Sequence, residues 1–409
     1  MAALLAAHAS PALASSVSVE DLTKLSIDEL ANLEVSLVSR RPERRAEASG
    51  AIHVVTGDEI ERAGATSLAD ALRGSPGVQV SRINANKWAL AVRGFASPLS
   101  RSVLVLVDGR SVWTPLFAGV YWEVQDTLLE DVERIEVHRG PSGALFGANA
   151  INGVINVVSR TARETPGLHM TLGGGTEERA FGRARYGGRV SRDVYYRAYA
   201  KYFDRDGQYP LAGSGFDDWR MGQGGFRADW EPGGPRQLTV QGDVYAGEAG
   251  QRTAFASYTP PFVRTVDGDA TLRGGNLLAR WRRPVGEGAL QVQAYYDHTF
   301  RREPHYRESR DTWDLDLQHS FAPAAAHQVV LGVGYRASTG DFAAVPAIVL
   351  DPPRRTDDIA GVFAQDDWTL AGGRGRLTVG ARLDWNDYSG WQPQPRARLG
   401  WSFASRHWG

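Results

Sequence analysis

From about residue 168 onward the chain repeats one texture: segments of 8–14 residues in which apolar and polar side chains alternate one for one. In WDLDLQHSF, Trp313, Leu315, Leu317 and Phe321 take one face, and Asp314, Asp316, Gln318 and Ser320 take the other. In LQVQAYYDHTF, Leu290, Val292, Ala294, Tyr296 and Phe300 oppose Gln291, Gln293, Asp297 and Thr299. LTVGARLDW repeats the scheme with Leu377, Val379, Ala381, Leu383 and Trp385 against Thr378, Arg382 and Asp384. A strand turns its side chains over with period two, so each segment has one apolar and one charged face. The connections alternate as well. EPGGP (231–235), PVGEG (284–288), APAAA (322–326) and AGGR (371–374) read as short turns; the stretches near 204–216, 248–270 and 338–356 read as long polar loops. Short turns at one end and long loops at the other are the pattern of an outer-membrane β-barrel, here with about 12 strands. A soluble sandwich or propeller turns every 8–12 residues and hides its apolar face in a core. These strands are longer and carry Asp, Arg and Gln at depth. Trp219, Trp230, Trp281, Trp368 and Trp385 fall near segment ends, as girdles do.

Composition closes other routes. No apolar run approaches the roughly 18 residues that a spanning helix needs. A formal net charge of −1 argues against a general nucleic-acid binder. The absence of cysteine excludes disulfides, thiolate metal sites and cysteine nucleophiles.

Residues 51–160 read as a compact α+β domain. IHVVT is a strand; Thr56 and Glu59 form a capping-box pattern opening the helix DEIERA, closed by Gly64. Ser67 and Asp70 repeat the pattern for LADALR. VQVSRI, ALAVRGF, VLVLVDG, ERIEVHR and GVINVVS are strand candidates, and the continuous run VLVLV should be buried on both faces. The stretch RGPSGALFGANAINGVINVVSR invites a phosphate-loop reading, but it lacks Gly-Lys-Ser/Thr and G-x-G-x-x-G. Its glycines are expected to serve tight turns and packing. The nine histidines form no H-E-x-x-H, and Ser142 is not in a G-x-S-x-G elbow. Asp267-Gly268-Asp269 lacks the spacing of a calcium loop and reads as a solvated turn. The reading therefore assigns no catalytic residue, metal or cofactor.

Upstream, LLAAHASPALA with Ala12-Leu13-Ala14 fits a signal-peptide remnant over 1–14, though without a basic n-region. Residues 15–50 read as a polar segment with a helix at 19–32, the isolated extended run LEVSLVS (33–39), which should be mobile with nothing nearby to pair with, and a linker, SRRPERRAEAS.

The stretches VVTGDEIERAGATSLADALRGSPGVQV, AVRGF, VLVLVDGRSVW and VERIEVHRGPSGALFGANAINGVINVVS, in that order over more than a hundred residues, resemble the plug domain of TonB-dependent outer-membrane receptors. FAQDDWTL and GARLDWNDYSGW in the later segments support the resemblance. It implies an α+β plug inside a transmembrane antiparallel β-barrel in the outer membrane of a Gram-negative bacterium, and energy-coupled uptake of a scarce ligand such as an iron-siderophore, haem or cobalamin. The implied partners are the inner-membrane TonB complex, outer-membrane lipid and a small extracellular ligand such as a metal chelate. Leu33, Glu34, Val35, Ser36, Leu37, Val38 and Ser39 stand where the TonB box is expected, and an extended peptide there can add a strand to a partner's sheet edge. Arg93 and Arg139 match the arginines with which the family locks plug to wall. The outward apices would be RINANKW, SPLS and WTPLFAGVYW. Arg82, Asn84 and Lys87 could meet an anionic ligand, and Trp88, Trp113, Phe117, Tyr121 and Trp122 could stack on a flat one. Barrels of this kind have about 22 strands. Residues 167–409 supply about 12, which reads as a barrel truncated at its C-terminus and unable to close. Two other functions stay open at this point: a surface receptor for signalling or phage attachment without transport, and a non-functional fragment.

Overall fold

A computed structural model describes residues 34–37, 40, 43–44, 50–94, 97, 102–147, 149–209, 215–344, 348–404 and 407–408. The signal remnant and the helix expected at 19–32 lie outside the described residues, as do Leu33, Val38 and Ser39 of the LEVSLVS run.

The N-terminal part begins with a small hairpin, β1 (Glu34–Val35) and β2 (Glu43–Arg44). Then come β3 (Ile52–Thr56), α1 (Gly57–Arg62), α2 (Leu68–Ala71), the hairpin β4 (Val78–Arg82) and β5 (Trp88–Val92), β6 (Val103–Val107), β7 (Arg110–Ser111), β8 (Val132–Arg139), α3 (Gly143–Phe146) and β9 (Gly153–Ser159). Thr56 caps α1 through the capping box read from the sequence, and the Ser67 hydroxyl caps α2 by accepting the Asp70 N–H. The central sheet has the order β3-β8-β9-β6-β7, with β6 parallel to β9. Val103, Leu104, Val105 and Leu106 are all buried, so β6 has apolar contacts on both faces. Val92, Val105, Ile135, Val137, Ile155 and the α1–α2 residues Ile60, Leu68 and Leu72 share one core.

The stretch 139–160 is a turn and a return strand. α3 is one short turn closed by Gly147 at φ +89°, a left-handed conformation that favours glycine. A Cβ on Gly153 would lie 2.5 Å from the His138 carbonyl oxygen and 3.0 Å from Val92, so β9 starts where the backbone needs the space.

The rest is one antiparallel sheet of thirteen strands in sequence order, the last a two-residue segment: β10 (Gly167–Gly173), β11 (Glu178–Ser191), β12 (Val194–Arg205), β13 (Trp219–Trp230), β14 (Gln237–Ala256), β15 (Val263–Val285), β16 (Gly288–Glu303), β17 (Tyr306–Ala324), β18 (His327–Ala344), β19 (Arg354–Leu370), β20 (Gly375–Asn386), β21 (Gly390–Ala404) and β22 (His407–Trp408). β10 and β22 are its two ends and do not pair with each other. The polarity is inverted relative to a soluble sheet. Arg227, Asp229, Gln293, Arg301, Glu308, Gln365 and Asp384 are buried on the concave side. Leu277, Trp313, Leu315, Val333, Val362 and Leu399 are exposed on the convex side. Apolar outside and charged inside is the arrangement a bilayer stabilises. Among the described residues no helix is long and apolar enough to cross a membrane; the strands do the crossing.

The expected loops shrink. The stretch 248–270 is mostly strand, because β14 runs to Ala256 and β15 begins at Val263, leaving a six-residue connection at 257–262. Asp267 and Asp269 therefore sit in β15, where Asp267 accepts two hydrogen bonds from Arg252 at 2.6 and 2.7 Å. These strand ends carry polar residues on both faces because they stand beyond the apolar belt. The segment 338–356 likewise narrows to a connection at 345–353.

Candidate functional site

The plug is held in the concave side of the wall by ion pairs of one prevailing polarity: plug carboxylates meeting wall cations. Asp131 on the turn before β8 receives Arg185 at 2.6 Å and Arg197 at 3.1 Å. Glu130 meets Arg183 at 2.7 Å and Asp126 meets Lys201 at 2.8 Å. Glu123 and Arg301 lie 2.6 Å apart, each side chain 5% exposed, with Glu303 also 2.6 Å from Arg301. Burial pushes the Glu123 carboxyl up, but Arg301 and then Lys87 outweigh it and hold it below the usual carboxylate range. Arg110 of β7 reverses the polarity by pairing with Asp297.

Arg93 and Arg139, which the resemblance cast as the locking arginines, make no ion pair among the described residues. Arg139 keeps a buried Nε without a partner. Both stand near His138, whose imidazole is pushed down to about 3 by burial and then by Arg398, Arg396, Arg93 and Arg139. His138 is held as a neutral ring, with the Ser142 hydroxyl 2.7 Å from Nδ1.

The apices divide into two groups. The turn at 82–88 is stitched to the wall. Arg82 meets Glu177 at 2.6 Å and donates to the Ala85 carbonyl at 3.0 Å. Asn84 accepts the Asn86 N–H at 3.1 Å, the Ala85 N–H donates to Asp217 at 2.7 Å, and the Asn86 amide donates to the Gly250 carbonyl at 2.8 Å. Trp88 is buried edge-on against Trp219, with ring centroids 5.9 Å apart. Lys87 sits 3.8 Å from Glu123. These residues pack plug against wall. The SPLS apex has only Ser97 among the described residues.

The apex at 113–122 faces open space. Its tip is fixed by a bridge between Thr114 and Gly119, and Ala118 takes a left-handed φ of +57° there. Phe117 packs edge-on against Tyr121, the Tyr121 and Tyr306 hydroxyls are 2.9 Å apart, and the Arg301 guanidinium lies 3.7 Å over the Tyr121 ring. Trp122 turns back onto the plug core. Trp113 and Tyr121 line a cavity of about 580 Å³ between plug and wall. Its outer part is bounded by Glu308, Asp357 and Tyr388, with the Tyr388 hydroxyl donating to Asp357 at 2.7 Å. A smaller hollow of about 220 Å³ adjoins it, lined by Pro115, Leu116, Phe342, Leu350 and Arg355. Aromatic and apolar side chains at the apex face a wall rich in charged and polar residues, a lining that suits a bulky ligand with many polar groups. The wall residues Tyr306, Glu308, Asp357 and Tyr388 were not singled out from the sequence. For Tyr306, Glu308 and Asp357 the signal was the polar parity of their strands, while Tyr388 sits in the turn between β20 and β21; only the register shows which of them meet the apex.

The same cavity runs inward to Ser36, Leu37 and Arg40. The LEVSLVS run, expected to be isolated and mobile, is docked over its described residues. β1 pairs with β2, and Val35 and Leu37 are buried against Ile52, Val54, Leu104 and Val154. The Ser36 and Leu37 N–H groups donate to the Glu136 carboxylate at 3.0 and 3.2 Å, and Arg134 holds that carboxylate at 2.9 Å. The supposed linker is anchored too: Arg40 pairs with Asp316 at 3.2 Å and Glu43 with Arg376 at 2.8 Å. A strand carboxylate that grips two backbone N–H groups gave the run a partner that hydrophobic patterning does not reveal.

A plug set inside a lipid-facing wall of antiparallel strands defines the class: a plugged outer-membrane barrel protein. The comparisons make it specific. Residues 44–154 match the TonB-dependent Receptor Plug Domain, and residues 167–407 match the TonB dependent receptor-like, beta-barrel. The chain belongs to the TonB-dependent receptor family and is an outer-membrane protein. It is 36% identical over 134 residues to the vitamin B12 transporter BtuB of Vibrio vulnificus, a match covering 32% of this chain and 21% of the relative. Its fold is similar to the siderophore receptor PirA of Pseudomonas aeruginosa, with a TM-score of 0.65, 20% identity, and coverage of 87% of this chain and 59% of that one. It is similar to the ferric enterobactin receptor PfeA of the same organism, with a TM-score of 0.70, 17% identity, and coverage of 91% and 62%. The chain thus spans about three fifths of the length of these solved receptors.

Proposed function

We propose that this chain takes part in TonB-coupled uptake of a scarce ligand of the metal-chelate or cobalamin kind. The observation that carries the proposal is the continuity of one cavity from Trp113, Tyr121 and Tyr388 at the outer side to Ser36, Leu37 and Arg40 at the inner side. A ligand seated on the 113–121 apex and a periplasmic partner pulling on 33–39 would act on the two ends of one space. Segment 34–37 is an extended peptide of the type that adds to a sheet edge, but its docking means that it must leave Glu136 first. Arg93 and Arg139 keep a place in this reading as plug arginines in a polar gap beside β21.

The test is deletion of residues 33–39, with cyanocobalamin and ferric siderophores as probes in whole cells carrying the receptor. Uptake should vanish while binding at 4 °C persists. Uptake that survives the deletion sinks TonB coupling through this segment. Loss of both uptake and binding would mean that the segment is structural.

A further inference from the structure

Midway down the cavity the wall presents a row of polar residues. Gly225, Asp243, Asn276, Asp297 and Thr312 stand directly opposite one another on five consecutive strands, β13 to β17. Asp243, Asn276, Asp297 and Thr312 all line the cavity. Their height is set by β16 and β17. The pair Asp297–Thr312 lies four residues below Arg301–Glu308 at the apex, and four above Gln293–Asp316, where Arg40 is anchored. Glycine makes the room. A Cβ on Gly225 would lie 2.7 Å from the Tyr199 ring, and one on Gly274, a pleat nearer the mouth, 2.5 Å from the Tyr245 ring. The two tyrosines therefore lie over glycines of the neighbouring strand and leave the lumen open.

The charges at this height do not balance. Arg110 of the plug is taken by Asp297, and Lys201 by Asp126 at 2.8 Å. Asp243 accepts from the Tyr199 hydroxyl and forms no ion pair among the described residues, so one carboxylate is left over. Two further acceptors are buried and unused. Asp126 is 8% exposed, and its Oδ2 has no hydrogen-bond partner. Gln223 stands opposite Lys201 and donates to the Tyr199 hydroxyl at 2.9 Å, which leaves its Oε1 without a partner. Both residues line the cavity. A buried acceptor without a donor is costly, so this part of the lining is complementary to N–H groups. Among the described residues no three His, Cys, Asp or Glu side chains come together to hold a metal ion, so a bare divalent cation is not the match.

We propose that Asp126, Gln223 and Asp243 form a second binding station, below the apex, for an N–H donor carried by the ligand, either a primary amide or an ammonium group. Resting on the uptake reading above, the station adds to it a chemical class of ligand. An amide or ammonium arm finds free oxygens and a surplus negative charge there. A carboxylate or catecholate arm meets Asp243 and is repelled. The station lies between the apex and Arg40, so a ligand leaving Trp113 and Tyr121 reaches it before the inner end of the cavity.

The first test is saturation-transfer NMR on the receptor purified in detergent, with propionamide, propylammonium and propionate as probes. Propionamide and propylammonium should receive saturation from the parent, and propionate should not. The double variant Gln223→Leu/Asp243→Asn should lower both signals about tenfold. Heat-modifiable mobility on gels certifies its fold. Asp243→Asn alone, which keeps the shape, should lower the propylammonium signal more than the propionamide signal. The second test is uptake by whole cells of cyanocobalamin, which carries primary amides, and of ferrioxamine B, which ends in an ammonium. The double variant should bind at 4 °C as the parent does, because neither residue belongs to the outer seat, and should take up ligand about tenfold more slowly. Equal NMR signals from parent and variants, or propionate bound as well as propionamide, overturn the site whether or not the cells take up ligand. Parental uptake by a variant whose NMR signals are lost overturns its place on the route. A parent without uptake, beside lost signals in the variant, upholds the site and fails the transport reading alone.

Discussion

The plug should be most sensitive at Glu123. Its carboxylate is shared between Arg301 at 2.6 Å and Lys87 at 3.8 Å, and both members of the main pair are 5% exposed. Removing one member of such a pair strands a buried charge, which costs about 3–5 kcal/mol. Glu303 remains on Arg301, and glutamine keeps the shape and can still accept a hydrogen bond, so Glu123→Gln should cost about 2 kcal/mol. Hydrogen exchange reads this directly. Amides near the 113–126 apex should open and exchange roughly 30-fold faster than in the parent. The pH dependence has a definite sign. Because the folded Glu123 carboxyl lies below its ordinary value of 4.5, its stabilisation is complete above that pH and is lost as pH falls through the lower folded value. The triple variant Glu123→Gln/Arg301→Met/Glu303→Gln removes the charges of the cluster without stranding Glu303 and should bring exchange most of the way back. Unchanged exchange in the single variant, or a triple variant that is worse than the single, would refute the view that this pair pins the apex.

Three further outcomes follow from the geometry. His138 is neutral in the fold and titrates near 3 against an ordinary 6.5, so the unfolded chain binds the extra proton and stability should fall with pH between those values; His138→Asn should flatten that slope in pH-dependent thermal scans. Asp316→Asn removes the counter-charge of Arg40, a partly exposed pair 3.2 Å apart, and trypsin cleavage in the 40–45 region should quicken about fivefold. Gly153→Val places side-chain atoms against the His138 carbonyl and Val92, and should cost about 2–3 kcal/mol, seen as faster exchange across β8 and β9.

The wall was legible because lipid outside and water inside impose period two on every crossing strand; Trp313-Asp314-Leu315-Asp316 records both environments in four residues. The helix caps at Thr56 and Ser67 were legible because their partners are three residues away. Contacts set by register were not. Nothing local says that Tyr306 lies against Tyr121, 185 residues earlier. The ends of β14 and β15 looked like loop because beyond the bilayer neither face must be apolar. Trp88 looked like a ligand platform because an aromatic in a turn carries no mark of the wall that buries it. The docking of 34–37 was hidden in Glu136, which in ERIEV reads as an ordinary outward carboxylate of a strand.

The strands of the wall differ in reach. β14 has 20 residues and β15 has 23, whereas β12 and β13 have 12 each. At about 3.3 Å per residue and a tilt near 40°, the long hairpin rises roughly 25 Å or more past an apolar belt of about 25 Å. Among the described strands the rim is therefore not level. The β14–β15 flank is a parapet above its neighbours, so on this part of the wall a bulky visitor to the 113–121 apex meets a barrier that a small solute can drift around. Shortening the hairpin by whole pleats would widen that approach while leaving the seat itself untouched.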